Sequence, residues 1–258
     1  IEPIEKIAGG LNKIAAGDLQ HRFQVKSGDE FASLSEQLNR MTKGLSEKEK
    51  LSQYVSSEVL DVVVGERETD LQPGGELIEA AILFCEPENF ESSTRDMAPK
   101  KVVDQLNYFL ASCARVCGLY HGVIDKLVDD TVMIVFRKKA DAEAPALRAC
   151  KTVLALQKLL SSENPSFPYS LNSGLSCGKV VSGKIGSKTG KLDFTLIGDA
   201  VNMAARVKGL AGKISNTRMV ATADMEQQIG NLVSFRSLGR FEIKGKEGTH
   251  ELFELLHA

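Results

Sequence analysis

Hydrophobic positions in the first 46 residues recur at heptad spacing. Ile4, Ile7, Leu11 and Ile14 step by three, four and three, and Phe31, Leu34, Leu38, Met41 and Leu45 repeat the rhythm. This predicts two helices, each burying an apolar seam against partner helices. Pro3 suits a helix start, and Ser27-Gly28-Asp29-Glu30 offers a cap and an acidic first turn for the second helix. The connector, Gly17 to Gly28, is long enough to climb back beside the first helix. About a dozen extended residues span ~40 Å, against ~20 Å for a helix of similar count. Past Leu45 the seam breaks at Lys48 and Ser52 and resumes out of phase at Leu51, Val55, Val59 and Val62. A phase change alters coiled-coil winding, so a linker over 47–64 is expected to convert signal geometry into effector spacing. An imperfect coil gives the same pattern. Gly65 to Gly75, with Pro73-Gly74-Gly75, then breaks the helix.

From Leu77 the rhythm changes. Residues 78–85 form an apolar run suited to a buried strand, and 99–120 place Val102, Val103, Leu106, Phe109, Leu110 and Cys113 on one helical face. A hairpin follows, with strands over Gly122–Leu127 and Thr131–Phe136 around a tight turn at Val128-Asp129-Asp130. Next come a helix over 141–161, a strand over 169–176, a strand or turn over 178–185, a helix over 200–211 and a last strand over 251–256. Strands and helices in this order predict an α+β fold with helices packed on one sheet.

Composition changes this picture little. Hydrophobic residues at 43% and charged residues at 26% are ordinary for a globular chain of 258 residues. A net charge of −2 leaves no basic excess with which to neutralise phosphates, so no nucleic acid partner is expected. Five cysteines sit mostly among apolar residues. Cys113 and Cys117 have a spacing that a metal site can use, but no second Cys or His pair completes one, and buried thiols are expected. No window approaches the ~18 apolar residues of a membrane span. The sequence opens on Ile1-Glu2-Pro3 without an initiating Met and reads as a fragment, soluble in itself, with an upstream sensor missing.

Ile14-Ala-Ala-Gly17-Asp18-Leu19, Gly28-Asp29-Glu30-Phe31 and Leu38-Asn39-Arg40-Met41 resemble a HAMP domain. The resemblance implies a parallel four-helix bundle formed by a homodimer on the cytoplasmic side of the plasma membrane, relaying a receptor's signal. Four later segments resemble class III nucleotide cyclases: Ala81 to Phe90, His121 to Asp130, Asp193 to Arg206 and Ile243-Lys244-Gly245-Lys246. The expected organisation is therefore a relay over 1–46, a linker over 47–75 and a cyclase homology domain over 76–258, of the ferredoxin-like or palm type.

That resemblance implies conversion of ATP to 3′,5′-cyclic AMP and pyrophosphate in a site shared by two subunits. It implies two divalent cations, Mg²⁺ or Mn²⁺, held by carboxylates. Position by position, Glu86 and Asp130 fall on the metal ligands, and Lys126 and Thr195 on the purine-reading pair. Asn202 and Arg206 fall on the pair that positions the ribose and stabilises the transition state, and Lys244 on a triphosphate lysine. Lysine only donates hydrogen bonds, which suits adenine N1 and not the protonated N1 of guanine. ATP is therefore expected over GTP.

The first metal loop departs from the family. Glu86, Pro87, Glu88, Asn89, Phe90 and Glu91 replace aspartate, an aliphatic residue, a variable residue, Gly, Phe and Thr. The extra methylene of Glu86 moves its oxygens by more than about an ångström, a scale of misplacement that costs ~100-fold in rate. Pro87 removes a backbone donor, Asn89 restricts close approach, and Glu88 and Glu91 add negative charge. Asp129 stands where the family has Gly. Three readings stay open: a weak cyclase, a catalytically silent signalling module, or the purine-binding half of a heterodimer. A diguanylate cyclase would need a Gly-Gly-acidic-acidic-Phe turn, which is absent.

Overall fold

The computed structural model describes residues 2–24, 30–52, 74–163, 167–186 and 192–257. The chain divides into two compact units, Ile1–Glu68 and Thr69–Ala258.

In the first unit, α1 (Glu2–Ala15) and α2 (Glu30–Ser52) flank the connector. Asn39 on α2 clamps the backbone of Phe23, its Nδ2 donating to the carbonyl at 2.9 Å and its Oδ1 accepting from the amide at 2.8 Å. Phe23 is buried and lies so close to Gly10 that a Cβ there would meet its ring. Phe23 of the connector thus packs on both helices. Ile4, Leu11, Leu34, Met41 and Leu45 of the heptad seams remain exposed on the single chain. The expected phase change over 47–64 lies largely outside the described residues.

The second unit is built on an eight-stranded sheet: β1 (Gly74–Pro87), β2 (Val123–Val128), β3 (Thr131–Arg137), β4 (Leu171–Gly186), β5 (Leu192–Ile197), β6 (Met219–Thr222), β7 (Ser234–Glu242) and β8 (Thr249–His257). The order is β2-β3-β1-β4-β6-β8-β7, with β5 paired to β4; among the described residues β4 and β6 run parallel and the other pairs antiparallel. Its helices are α3 (Phe90–Thr94), α4 (Pro99–Leu119), α5 (Pro145–Glu163), α6 (Asp199–Ile214) and α7 (Ala223–Ile229).

The apolar run of β1 is explained by burial on both faces. Ala81, Leu83 and Cys85 join a core with Phe109 and Cys113 of α4 and Cys150, Val153 and Leu156 of α5. Ala80 and Ile82 point the other way, into a core with Ala200 and Ala204 of α6. The expected α+β fold is present, with helices on both faces of the sheet.

Two expectations change. The strand over 169–176 and the segment over 178–185 are one strand, β4, because β1 pairs with it without interruption from Gly74↔Lys184 to Pro87↔Leu171. The helix expected over 141–161 begins at Pro145, whose ring suits a first helical turn. All five cysteines are buried free thiols, and burial pushes those of Cys117 and Cys177 up to about 12, far from thiolate chemistry.

Glu254 on β8 is fully buried, and its carboxylate accepts from the Ser215 hydroxyl at 2.8 Å, the Thr217 amide at 2.7 Å and the Arg236 guanidinium. Burial alone would raise its pKa, but these three donors hold it below the ordinary value. A depressed carboxylate contributes stability that is present above its unfolded value and lost as pH falls through the folded one. Thermal unfolding below about pH 5 should therefore fall more steeply for the native protein than for Glu254→Gln. Parallel curves would remove Glu254 from the acid response.

Candidate active site

Lys126 and Thr195 come from strands that are not neighbours in the sheet, β2 and β5. The ladder between β2 and β3 slips between Ile124 and Lys126, a bulge of the kind that re-aims a side chain. Thr195 is set by the β4–β5 hairpin, opposite Gly183. The Lys126 ammonium donates to the Thr195 hydroxyl, and Asp125 lies 3.6 Å from the same nitrogen. A cationic donor and a hydroxyl side by side suit two adjacent polar atoms on one edge of a flat ring.

Asn202 and Arg206 lie one turn apart on α6, so they share a face. The seat of α6 is fixed by Gly174 on β4. A Cβ there would overlap the Ala204 carbonyl oxygen and the Lys208 amide nitrogen and come within 2.8 Å of Lys208 Cα, so only glycine lets the helix lie this close. Arg206 donates to the Gly245 carbonyl at 3.0 Å, which ties α6 to the turn between β7 and β8. Gly245 has φ +72°, a conformation that favours glycine. Lys244 in that turn is exposed, whereas Lys246 pairs with Asp199 at the start of α6. The turn meets Arg206 through its backbone.

The loop after β1 differs in kind. The Glu88 amide donates to the Ser170 carbonyl at 2.8 Å, so this donor is spent within the fold. Asn89 adopts φ 54° ahead of α3 and Asp129 φ 55° in the hairpin turn, left-handed conformations that Asn and Asp tolerate. Glu86 Oε2 accepts from the Thr131 hydroxyl at 2.9 Å and from the Lys208 ammonium, which also reaches Thr131 at 3.2 Å. Glu88 pairs with Arg218 at 2.6 Å. Burial pushes the Asp130 carboxyl up, the Glu86 charge adds to the rise, and the Asp130 amide and Lys208 oppose it.

Glu86 and Asp130 therefore lie close enough for the charge of one to act on the other. They fit a divalent cation poorly as they stand, because one Glu86 oxygen, Oε2, is already held by an ammonium and a hydroxyl and the ammonium's charge opposes a second cation there. Among the described residues, no cluster of three or more His, Cys, Asp or Glu side chains could hold a metal ion.

Sequence reasoning missed Lys208, Thr131 and Arg218. The signal for Lys208 was available: it follows Ala200 and Ala204 at steps of four, a lysine on an otherwise apolar helix face. Nothing local marks Arg218 as the partner of Glu88.

Residues 75–256 match the model of the adenylate and guanylate cyclase catalytic domain, and residues 1–47 match the HAMP domain. The chain belongs to the class III adenylate and guanylate cyclase family. An adenylate cyclase of Anabaena cylindrica is 26% identical over 98% of this chain and 54% of its own length. An uncharacterized protein of Mycobacterium tuberculosis is 29% identical over 86% of this chain and 41% of its own. The chain thus spans about half or less of these relatives. A bacterial light-regulated adenylyl cyclase superimposes with a TM-score of 0.61 at 27% identity, covering 70% of this chain and 91% of that one. Among the described residues, no helix of this cyclase-family chain is long and apolar enough to cross a membrane.

Proposed function

We propose that two copies of this chain bind ATP between their cyclase domains and convert it slowly to 3′,5′-cyclic AMP and pyrophosphate, under control of the HAMP unit. The observation that carries this reading is the Lys126–Thr195 pair. Its ammonium can donate to adenine N1 while the hydroxyl accepts from the neighbouring amino group; guanine offers the ammonium a donor instead. Asn202 positions the ribose and Arg206 stabilises the charge that develops as the 3′-oxygen attacks the α-phosphorus and pyrophosphate leaves. Lys244 lies on an exposed turn open to a triphosphate.

The exposed seam residues of α1 and α2 support dimerisation, since a second copy would cover them. The HAMP match supports a place at the cytoplasmic face of a membrane receptor, with a sensor upstream. One observation favours a second reading, a silent nucleotide-binding module: the Glu86 oxygen is held by Lys208.

The test is cyclic AMP formation by the purified protein with ATP and Mg²⁺ or Mn²⁺, beside calorimetric ATP and GTP binding. Turnover of ATP that falls roughly 100-fold or more in Asn202→Ala supports the cyclase. ATP binding that weakens in Lys126→Met, without turnover, supports the silent module. No preference for ATP over GTP overturns the purine assignment.

A further inference from the structure

The altered loop after β1 carries Glu86, Glu88 and Glu91, and two of these carboxylates have a cation supplied by the same chain. Lys208 comes from α6 to Glu86, and Arg218, just before β6, comes to Glu88. The first pair is the more enclosed, with the side chains of Lys208 and Glu86 only 16% and 22% exposed. It is also anchored from a third element, because Thr131 at the start of β3 donates to Glu86 and lies 3.2 Å from the Lys208 nitrogen. The backbone from which the Lys208 side chain reaches is held against Gly174 near the start of β4. A partly buried carboxylate needs a charge partner. Here the fold provides one on a helix, and its charge also acts on the carboxylate of Asp130.

We propose that Lys208 is a tethered cation that stands in for a divalent metal at Glu86. The ammonium occupies one carboxylate oxygen and places a fixed positive charge against the pair. It repels a second cation there and offsets the charge of Glu86. Lysine delivers this as a compact point charge with three donors, of which Glu86 and Thr131 engage two. Arg218 pairs likewise with Glu88, so two of the loop's three carboxylates are matched by cations elsewhere in the sequence.

The proposal concerns the protein without nucleotide and does not depend on whether ATP is cyclised. Its test is Mn²⁺ binding to the full chain with no nucleotide present, followed by titration calorimetry and by the electron paramagnetic resonance signal of free Mn²⁺. Lys208→Met removes the charge while keeping much of the side-chain length, and should bind Mn²⁺ at least about tenfold more tightly than the native protein. Adding Glu86→Gln should abolish that gain. Lys208→Gln, which keeps a donor toward Glu86, guards against misfolding of the methionine variant and should gain affinity in the same direction. Circular dichroism verifies that each variant is folded. Native protein that already binds one Mn²⁺ tightly through Glu86 overturns the proposal, as does an unchanged affinity in both folded Lys208 variants.

Discussion

Gly174→Ala is expected to destabilise the cyclase domain by about 3 kcal/mol, at the upper end of the cost of overpacking a core. In a domain of this size that lowers the thermal midpoint by about 6–12 °C. The added methyl would collide with the backbone of α6 at Ala204 and Lys208, and a backbone cannot rotate out of the way as a side chain does. The helix must shift, and it carries Asn202, Arg206 and Lys208 with it. A shift of about 1 Å costs on the order of 100-fold in turnover where chemistry depends on placement. Gly178→Ala is the matched control on the same strand. Its Cβ would meet only the Ala200 methyl, at an ordinary 3.5 Å, so its midpoint and ATP response should stay near those of the native protein. Circular dichroism melts and ATP-binding isotherms of the two variants decide the matter. Equal behaviour would mean that α6 is not held by its approach to β4.

How much of this was legible in the sequence depended on how each element is stabilised. The helix over 99–120 and the hairpin around Asp129-Asp130 could be read locally, because their apolar faces follow helical and strand periods. β6 has only four residues, all buried, and so shows no alternation to detect. β7 is largely part-exposed, with an irregular pattern broken by a bulge near Gly239. Gly174, Gly178 and Gly183 punctuate the pattern of β4, and long-range pairing with β1 keeps the strand whole.

At the site, resemblance supplied Lys126, Thr195, Asn202 and Arg206. It could not show that Lys126 and Thr195 touch, since they are 69 positions apart. The metal loop read as too acidic from local sequence, because Lys208 lies 122 positions beyond Glu86 and Arg218 follows still later. Charge balance in a folded site is set by tertiary neighbours, and one segment read alone overstates its own charge. Two of the loop's carboxylates, Glu86 and Glu88, are accompanied by such cations, Lys208 and Arg218.

Arg148→Met is expected to be the other severe single change, costing about 4 kcal/mol. Arg148 is among the most deeply buried side chains, at 2% exposure, and it serves backbone carbonyls. Its Nε donates to Glu143 at 3.0 Å, one terminal nitrogen to Tyr120 at 3.2 Å and His121 at 3.0 Å, and the other to Arg137. These carbonyls close the end of α4, the entry to β2, the end of β3 and the loop before α5. Methionine fills much of the volume but offers no donor, and each buried carbonyl left without one costs about 1–3 kcal/mol, less where water can enter. The thermal midpoint should fall by about 8–16 °C. Arg148→Lys keeps the charge but not the planar fork, so it can serve only some of these carbonyls and should recover part of the loss. The β2–β3 hairpin hung from these bonds carries both Lys126 and Asp130, so the methionine variant should also bind ATP less tightly below its melting point. A methionine variant as stable as the lysine one would show that packing against Phe136, whose ring centre lies 5.9 Å from the guanidinium carbon, matters more than the four carbonyls.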